Sequence, residues 1–216
     1  MVEMLTLNSR EEWLQKRTSY IGGGECSCLV GLNPYMSNVE LWAQKTGRAK
    51  REDISDKSFV RYGTEAEQYL RELFKLDFPQ YKVDYVENNL WLNNIYPFAH
   101  ASLDGWLTDA DGRRGILEIK TTNILQSMQK EKWNHRIPEN YYCQILHYLA
   151  ITDFDFAILK AQLKYDYDGE IFLNTKHYFI ERAEVEADIS YLMQAEEKFA
   201  EYIVDDVEPP LILPNF

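Results

Sequence analysis

The stretch HASLDGWLTDADGRRGILEIKTT, His100 to Thr122, reads as two strands joined by a tight turn, with charges where a sheet favours apolar side chains. Asp104 sits among Ala101, Leu103, Trp106 and Leu107, and Glu118 and Lys120 interrupt Ile116, Leu117 and Ile119. Side chains alternate faces along a strand, so Glu118 and Lys120 point one way and Leu117 and Ile119 the other. The fold-back at DADGRRG lets Asp104, 14 positions before Glu118, lie on the neighbouring strand. Two carboxylates and an ammonium then converge. Buried carboxylates without partners are costly, so the cluster requires a compensating cation. Lys120 supplies one charge and a divalent metal would supply the rest. Hard oxygen donors suit Mg²⁺ or Mn²⁺ better than zinc, and no His/Cys ligand set appears. Spacing alone leaves open a surface-facing strand with an ordinary Glu–Lys pair.

Outward from that stretch, the order is helices, a strand meander, a helix, two strands and a helix. Ser9-Arg-Glu-Glu12 reads as a capping box opening a helix to about Arg17. Ser37-Asn-Val-Glu40 reads as a second, opening VELWAQKTG, which stops at Gly47. Between them, YIGGGECSCLVGLNP is a Gly-rich turn into a short helix closed by Gly31 and Pro34. A polar linker over 48–56 precedes a helix from about Ser58 to Leu76, in which Tyr62, Ala66, Tyr69, Leu70, Leu73 and Phe74 approximate helical spacing. KVDYVENNLWLNN, FAHASLDGWLTD and RGILEIKTT are expected as three strands, and PENYYCQILHYLAIT as a helix with Pro138 near its start. FDFAILKAQ and EIFLNTKHYFIER are two more strands about the turn YDYDGE. AEVEADISYLMQAEEKFAEYIVDD closes the chain as an amphipathic helix. The apolar tail VEPPLILPNF is expected to pack across the body or against a neighbouring subunit. This order predicts one α/β (α+β) domain over 1–216, a central mixed sheet flanked by helices. Its motif-bearing core covers about 9–160, and an acidic strand–helix extension about 161–216.

Of the 216 residues 45% are hydrophobic, enough for one sizeable core. No apolar run approaches the ~20 residues of a membrane helix and no secretory signal opens the chain, so a soluble, intracellular protein is expected. Cys26, Cys28 and Cys143 are an odd number without a Cys-x-x-Cys pair, which argues against a disulfide framework and against a four-cysteine cluster. The net charge of −12 argues against a polyanionic partner until its distribution is read. Residues 161–216 carry four Lys and Arg against thirteen Asp and Glu, a net of −9, which leaves −3 for residues 1–160 with 19 basic and 22 acidic. Lys45, Arg48, Lys50, Arg51, Lys57 and Arg61 form a basic stretch able to meet phosphates, though a solvated loop fits equally.

Asp104, then Glu118-Ile119-Lys120 after a hairpin, resembles the Asp…(Asp/Glu)-x-Lys core of the restriction-endonuclease-like nuclease superfamily. More narrowly, Trp13 to about Ala150 resembles the YqaJ viral recombinase family of lambda-exonuclease-type phage nucleases. The resemblance is carried by Arg17 followed by IGGGEC, then NPY with LWAQKTG, YGTEAEQYLRELF, SLDG, LEIKTT and YYCQILHYLA. It implies a restriction-endonuclease-like fold and a metal-dependent deoxyribonuclease. Such an enzyme digests linear double-stranded DNA 5′-to-3′, leaving 3′ overhangs for phage-type recombination. The resemblance further implies two Mg²⁺ ions per site, replaceable by Mn²⁺, a homotrimeric ring around DNA, and a single-strand annealing recombinase as partner. It also implies a phage or prophage protein acting in the bacterial cytoplasm. In a ring, the few basic residues of each subunit would add along the inner wall while the acidic block faces outward. The rival readings are an endonuclease of the same superfamily and a non-catalytic DNA-end-binding module.

Residue by residue, the resemblance assigns Glu67, Asp104 and Glu118 as metal ligands, with the backbone carbonyl of Ile119 as a fourth. Lys120 would orient and help deprotonate the attacking water, and Gln144 lies at the edge of the active site. Glu65 and Glu72 read as solvated neighbours of Glu67. Arg17 matches an arginine that binds the 5′-phosphate, and the amides of Gly22, Gly23 and Gly24 are candidates for the same anion. Where many relatives carry a serine the chain has Gly24, so a hydroxyl contact is lost. Val60 matches an apolar position near the duplex end, and Thr121 a contact to the DNA backbone. Core packing and strand-edge packing account for Val60 and Thr121 equally well. Trp42 reads as core and His100 as a structural histidine.

Overall fold

The computed structural model describes residues 1–213, so the last three residues of the tail, 214–216, lie outside the described residues. The chain begins with β1 (Val2–Thr6), α1 (Arg10–Thr18), β2 (Ile21–Gly22), a 3₁₀ turn (Cys26–Val30) and α2 (Asn38–Lys45). It continues through α3 (Ser58–Asp77), β3 (Lys82–Asp84), β4 (Asn89–Asn93), β5 (Ala99–Ala101), β6 (Gly105–Thr108) and β7 (Arg114–Ile124). It ends with α4 (Ser127–Glu131), α5 (Glu139–Thr152), β8 (Phe156–Tyr167), β9 (Glu170–Glu181) and α6 (Arg182–Val204). At α2 the expected capping box is complete. At α1 only half of it forms: Ser9 accepts the Glu12 amide, but the Glu12 carboxylate takes both the backbone and the side-chain N–H of Asn8.

The mixed α/β class and the flanking helices follow the sequence, but the strands divide between two sheets rather than one. Their orders are β1-β4-β5-β2 and β3-β6-β7-β8-β9. Two of the expected long strands are therefore each broken in two. KVDYVENNLWLNN becomes β3 and β4, separated near Asn88, whose φ is 55°. FAHASLDGWLTD becomes β5 and β6, and Asn89 makes that break possible. Its Nδ2 donates to the Leu103 carbonyl and its Oδ1 accepts the Leu103 N–H, both at 2.9 Å. A side-chain amide thus gives the Leu103 backbone what a neighbouring strand otherwise would. The chain can leave one sheet after Ala101 and enter the other at Gly105.

β7 and β8 run parallel, connected through α4 and α5. β8 and β9 form a hairpin over Asp168 and Gly169, with φ of 53° and 88°, the double left-handed turn that suits strand twist. α5 is buried without interruption from Cys143 to Thr152. It packs on strands of both sheets, on α6 and on the 3₁₀ turn, as an all-round apolar helix must. On the opposite face of the second sheet, Leu70 and Phe74 of α3 cover Leu117, Ile119 and Ile158. The buried stripe of α3 is narrower than its sequence suggests, because Tyr69 and Leu73 are 63% and 48% exposed. Trp42 is core, as expected, and all three cysteines are buried free thiols. Asn38 holds the tail to the body by donating to Pro210 O and accepting from Ile212 N. Among the described residues no helix is long and apolar enough to cross a membrane.

Candidate active site

The register of the β6–β7 hairpin brings the charges together. Gly105 pairs with Leu117, so Asp104 stands one position further, opposite Glu118. Pairing ends there, and the Ile119 N–H is taken by Asp104 Oδ2 at 2.8 Å. As alternation requires, Leu117 and Ile119 face α3 while Glu118 and Lys120 face α5. Glu118 Oε1 accepts from Lys120 Nζ at 2.7 Å and from Gln144 Nε2 at 2.9 Å, and Glu118 Oε2 is buried with no partner. Glu67 on α3 is paired at 2.9 Å with Arg71, one turn on, which also donates to the Asp104 carbonyl. Glu65 and Glu72 are exposed, as expected.

Three carboxylates thus share two cations, Lys120 and Arg71. Burial and the Asp104 charge push Glu67 up to about 7, against the pull of Arg71. Asp104 is likewise raised to about 7 by burial and by Glu118, and Glu118 is raised chiefly by burial. Burial alone would lower Lys120, but Glu118 and Asp104 outweigh it and hold its proton firmly. The cluster lacks positive charge.

A second feature adjoins it. A cavity of about 940 Å³ is lined by Arg17, Gly22, Gly24, Val60 and His100, among others. The Arg17 guanidinium lies 4.0 Å from the Trp13 ring centroid, and among the described residues it makes no hydrogen bond or ion pair. Gly23 presses on α5, since a Cβ there would come within 2.4 Å of Tyr148. Tyr148 in turn accepts a hydrogen bond from Gln144 Nε2 at 2.9 Å. One carboxamide therefore ties the glycine turn to Glu118. Thr121 lies beyond the cluster, in a separate cleft of about 330 Å³ with Arg61, Tyr62 and Lys164.

The YqaJ-like viral recombinase domain model matches residues 12–155. The chain belongs to that family. Over 152 residues it is 32% identical to the uncharacterized protein YqaJ of Bacillus subtilis (strain 168). That match takes in 69% of this chain but only 45% of that protein, so the chain spans under half the length of this curated relative. Among solved structures, the alkaline exonuclease LHK-Exo of Laribacter hongkongensis superposes with a TM-score of 0.58 at 19% identity, over 91% of this chain and 97% of that one. A phage-related exonuclease from Haemophilus somnus 129PT gives 0.57 at 14% identity, over 87% and 96%. At such identities the likeness establishes the shared fold.

Within this YqaJ-like domain the structure corrects two expectations. The Gly22 amide is not free for an anion, because Glu25 Oε2 accepts it at 3.0 Å. The same carboxylate pairs with Lys45 at 2.7 Å and Arg51 at 3.5 Å. The basic stretch is accordingly much less available than its composition suggests, since Arg48 pairs with Asp206 and Lys57 with Glu52. The sequence reading also passed over Arg71 and Tyr148. Arg71 could have been found from its spacing, four residues after Glu67 on a helix. Nothing local in the sequence marks Tyr148.

Cys26, His147 and Glu196 are, among the described residues, the one set of three metal-ligating donors whose ligand atoms all lie within 4.8 Å of one another, and all three are buried; Glu67, Asp104 and Glu118 stand further apart. Both nitrogens of His147 are engaged, Nδ1 with Glu196 Oε1 at 2.7 Å and Nε2 with the His100 carbonyl at 2.8 Å. Burial would lower the His147 pKa, but Glu196 and that carbonyl outweigh it and raise it. The charged ring, donating at both ends, is thereby favoured. Burial raises the Cys26 thiol well above its ordinary range, and it donates to Gly23 O.

Proposed function

We propose that the chain is a Mg²⁺-dependent deoxyribonuclease that digests linear double-stranded DNA from its 5′ ends, leaving 3′ overhangs for phage-type recombination. The observation that carries this reading is Glu118. One of its oxygens is fixed by Lys120 and Gln144, and the other is buried and unpartnered, in a carboxylate whose charge is felt by Asp104 and which itself feels Glu67. An anionic oxygen without a partner is costly unless a proton or a cation completes it, and the neighbouring carboxylates add to the negative charge a cation would offset. Glu67, Asp104 and Glu118, with the Ile119 carbonyl, would hold the ions, two per site, and oxygen donors suit Mg²⁺ or Mn²⁺. Bound there, a divalent cation lowers the pKa of a coordinated water and stabilises charge developing on the scissile phosphate. Lys120, kept protonated by Glu118, orients that water and the phosphate rather than taking the proton. Gln144 holds Glu118 in place. Arg17, with the Gly23 and Gly24 amides, would receive the 5′-phosphate, Val60 would abut the terminal pair, and Thr121 would touch the backbone beyond it.

A homotrimeric ring working with a single-strand annealing recombinase in a bacterial host completes this reading. β9 supports an assembly, for it is an edge strand with Ile171, Phe172 and Leu173 half exposed. Light scattering should then give about three times the 25.5 kDa chain mass, and a strict monomer would remove the ring. The function itself is tested on linear and covalently closed duplex with Mg²⁺ or with chelator. Digestion of linear DNA alone, and only with metal, is expected. Rapid nicking of circles would replace the exonuclease with an endonuclease, and no hydrolysis at all would remove the enzyme.

A further inference from the structure

His100 lines the cavity that holds Arg17, yet it is only 2% exposed. Its carbonyl is held by His147 and its ring meets the Tyr20 ring edge-on at 6.2 Å, so the imidazole has a fixed pose. Nδ1 is buried without a partner. The Nε2 edge lies on the glycine turn, where a Cβ on Gly22 would stand 2.9 Å from it. Only glycine leaves room for the ring at that point. Burial first, then Arg17, His147 and Lys45, hold His100 neutral, with the Ala101 backbone opposing only in part. A neutral imidazole carries one N–H. Nδ1 makes no hydrogen bond that meets ordinary distance and angle, so the proton is assigned to Nε2, facing the turn.

An imidazole that makes no hydrogen bond thus lines the same cavity as a guanidinium with no ion pair, a cavity that Glu25, Glu52 and Asp53 also line. Gly24, on the same wall, has no side chain to add, and a Cβ there would meet nothing within 4 Å. A phosphate monoester fits what is left unpaired, taking charge-assisted bonds from Arg17 and a neutral one from the ring. We propose that His100 is a specificity residue of this cavity, donating its Nε2–H to a terminal 5′-phosphate held by Arg17. The assignment rests on the nuclease reading above and adds a residue to it. His100 supplies the neutral donor that a side chain at position 24 does not.

Initial digestion rates on one duplex with phosphorylated and with hydroxyl 5′ ends test it, for wild type, His100→Leu and His100→Gln. The Leu variant should narrow the phosphate preference roughly fivefold, chiefly through KM on phosphorylated ends, as the loss of one neutral hydrogen bond implies. The Gln variant keeps an N–H donor and should retain part of the preference. A wild-type preference that survives unchanged in His100→Leu overturns the role of His100 and leaves the nuclease reading standing. No preference in wild type overturns the phosphate cavity itself. Should His100→Leu fail to fold, the wild type still answers. Of its four histidines, the His100 imidazole resonance should move on titration with a 5′-phosphorylated dinucleotide in Ca²⁺ and stay still with the hydroxyl form. A resonance that moves with neither, or equally with both, overturns the proposal.

Discussion

Glu118 and Glu196 are both fully buried carboxylates on the interior side of the molecule, and both have one oxygen without a partner. Their surroundings differ. Around Glu196 one carboxylate faces one imidazole, whose charged form it favours, and a thiol that burial keeps protonated, so a single positive charge is there to balance a single negative one. Around Glu118 three carboxylates face Lys120 and Arg71, and two of them are driven to about 7 by burial and mutual repulsion. Donor atoms alone do not make a cation site. A buried excess of negative charge that the protein's own cations do not cancel favours one, and of these two clusters the one around Glu118 has it.

The contrast can be broken most sharply by activity. Asp104→Ala or Lys120→Ala should reduce cleavage of linear duplex at least a thousandfold, on the order expected for loss of a metal ligand or a charged catalytic group. Full activity in either variant would dismiss the site. The Glu196 cluster should respond in stability instead. His147→Ala strands Glu196 in the core, a loss of about 3–5 kcal/mol, read as a lower denaturation midpoint with Mn²⁺ affinity unchanged in the folded protein.

A smaller effect concerns pH. Without metal, Glu67 and Asp104 keep their protons to about 7 in the folded chain, against about 4 when unfolded. The folded state then binds more protons between those values, so stability falls as pH rises from about 4 to 7 and stays low above. Melting in chelator should therefore be higher at acid pH, near 5.5, than at pH 8. Mg²⁺ at about 100 times its Kd should restore about 2.7 kcal/mol at pH 8, or about 5–10 °C for a domain of this size. Equal melting with and without Mg²⁺ would contradict the charge imbalance. The smallest effect separates two cations: Arg17 lacks a partner, and Lys45 is closed by Glu25. Arg17→Ala should erase a preference for 5′-phosphorylated ends worth about 2 kcal/mol, and Gly24→Ser, which has room, should widen it. Digestion of both ends by Arg17→Ala at the wild-type rates would leave Arg17 only its contact with the Trp13 ring.

The chemistry-bearing half of the fold was legible because its signals are local. Alternation put Glu118 and Lys120 on one face and the hairpin put Asp104 opposite them, while Glu67 was singled out only by the resemblance carried in YGTEAEQYLRELF. The second sheet was not legible. Its separation depends on Asn89 standing in for a strand at Leu103, a contact across 14 residues that no periodicity announces. β1 escaped for a similar reason, since VEMLT becomes a strand only through pairing with β4. The basic stretch misled because composition counts charges and not their partners. Glu25, Asp206 and Glu52 come from three separate places to neutralise it.

Calorimetric titration with Mn²⁺ tests the central claim most directly, on wild type, Glu118→Ala and Cys26→Ala. Wild type and Cys26→Ala should bind alike, and Glu118→Ala should bind at least about tenfold more weakly, a difference of about 1.4 kcal/mol. Binding that survives in Glu118→Ala and disappears in Cys26→Ala would move the cation to the buried cluster and contradict the account.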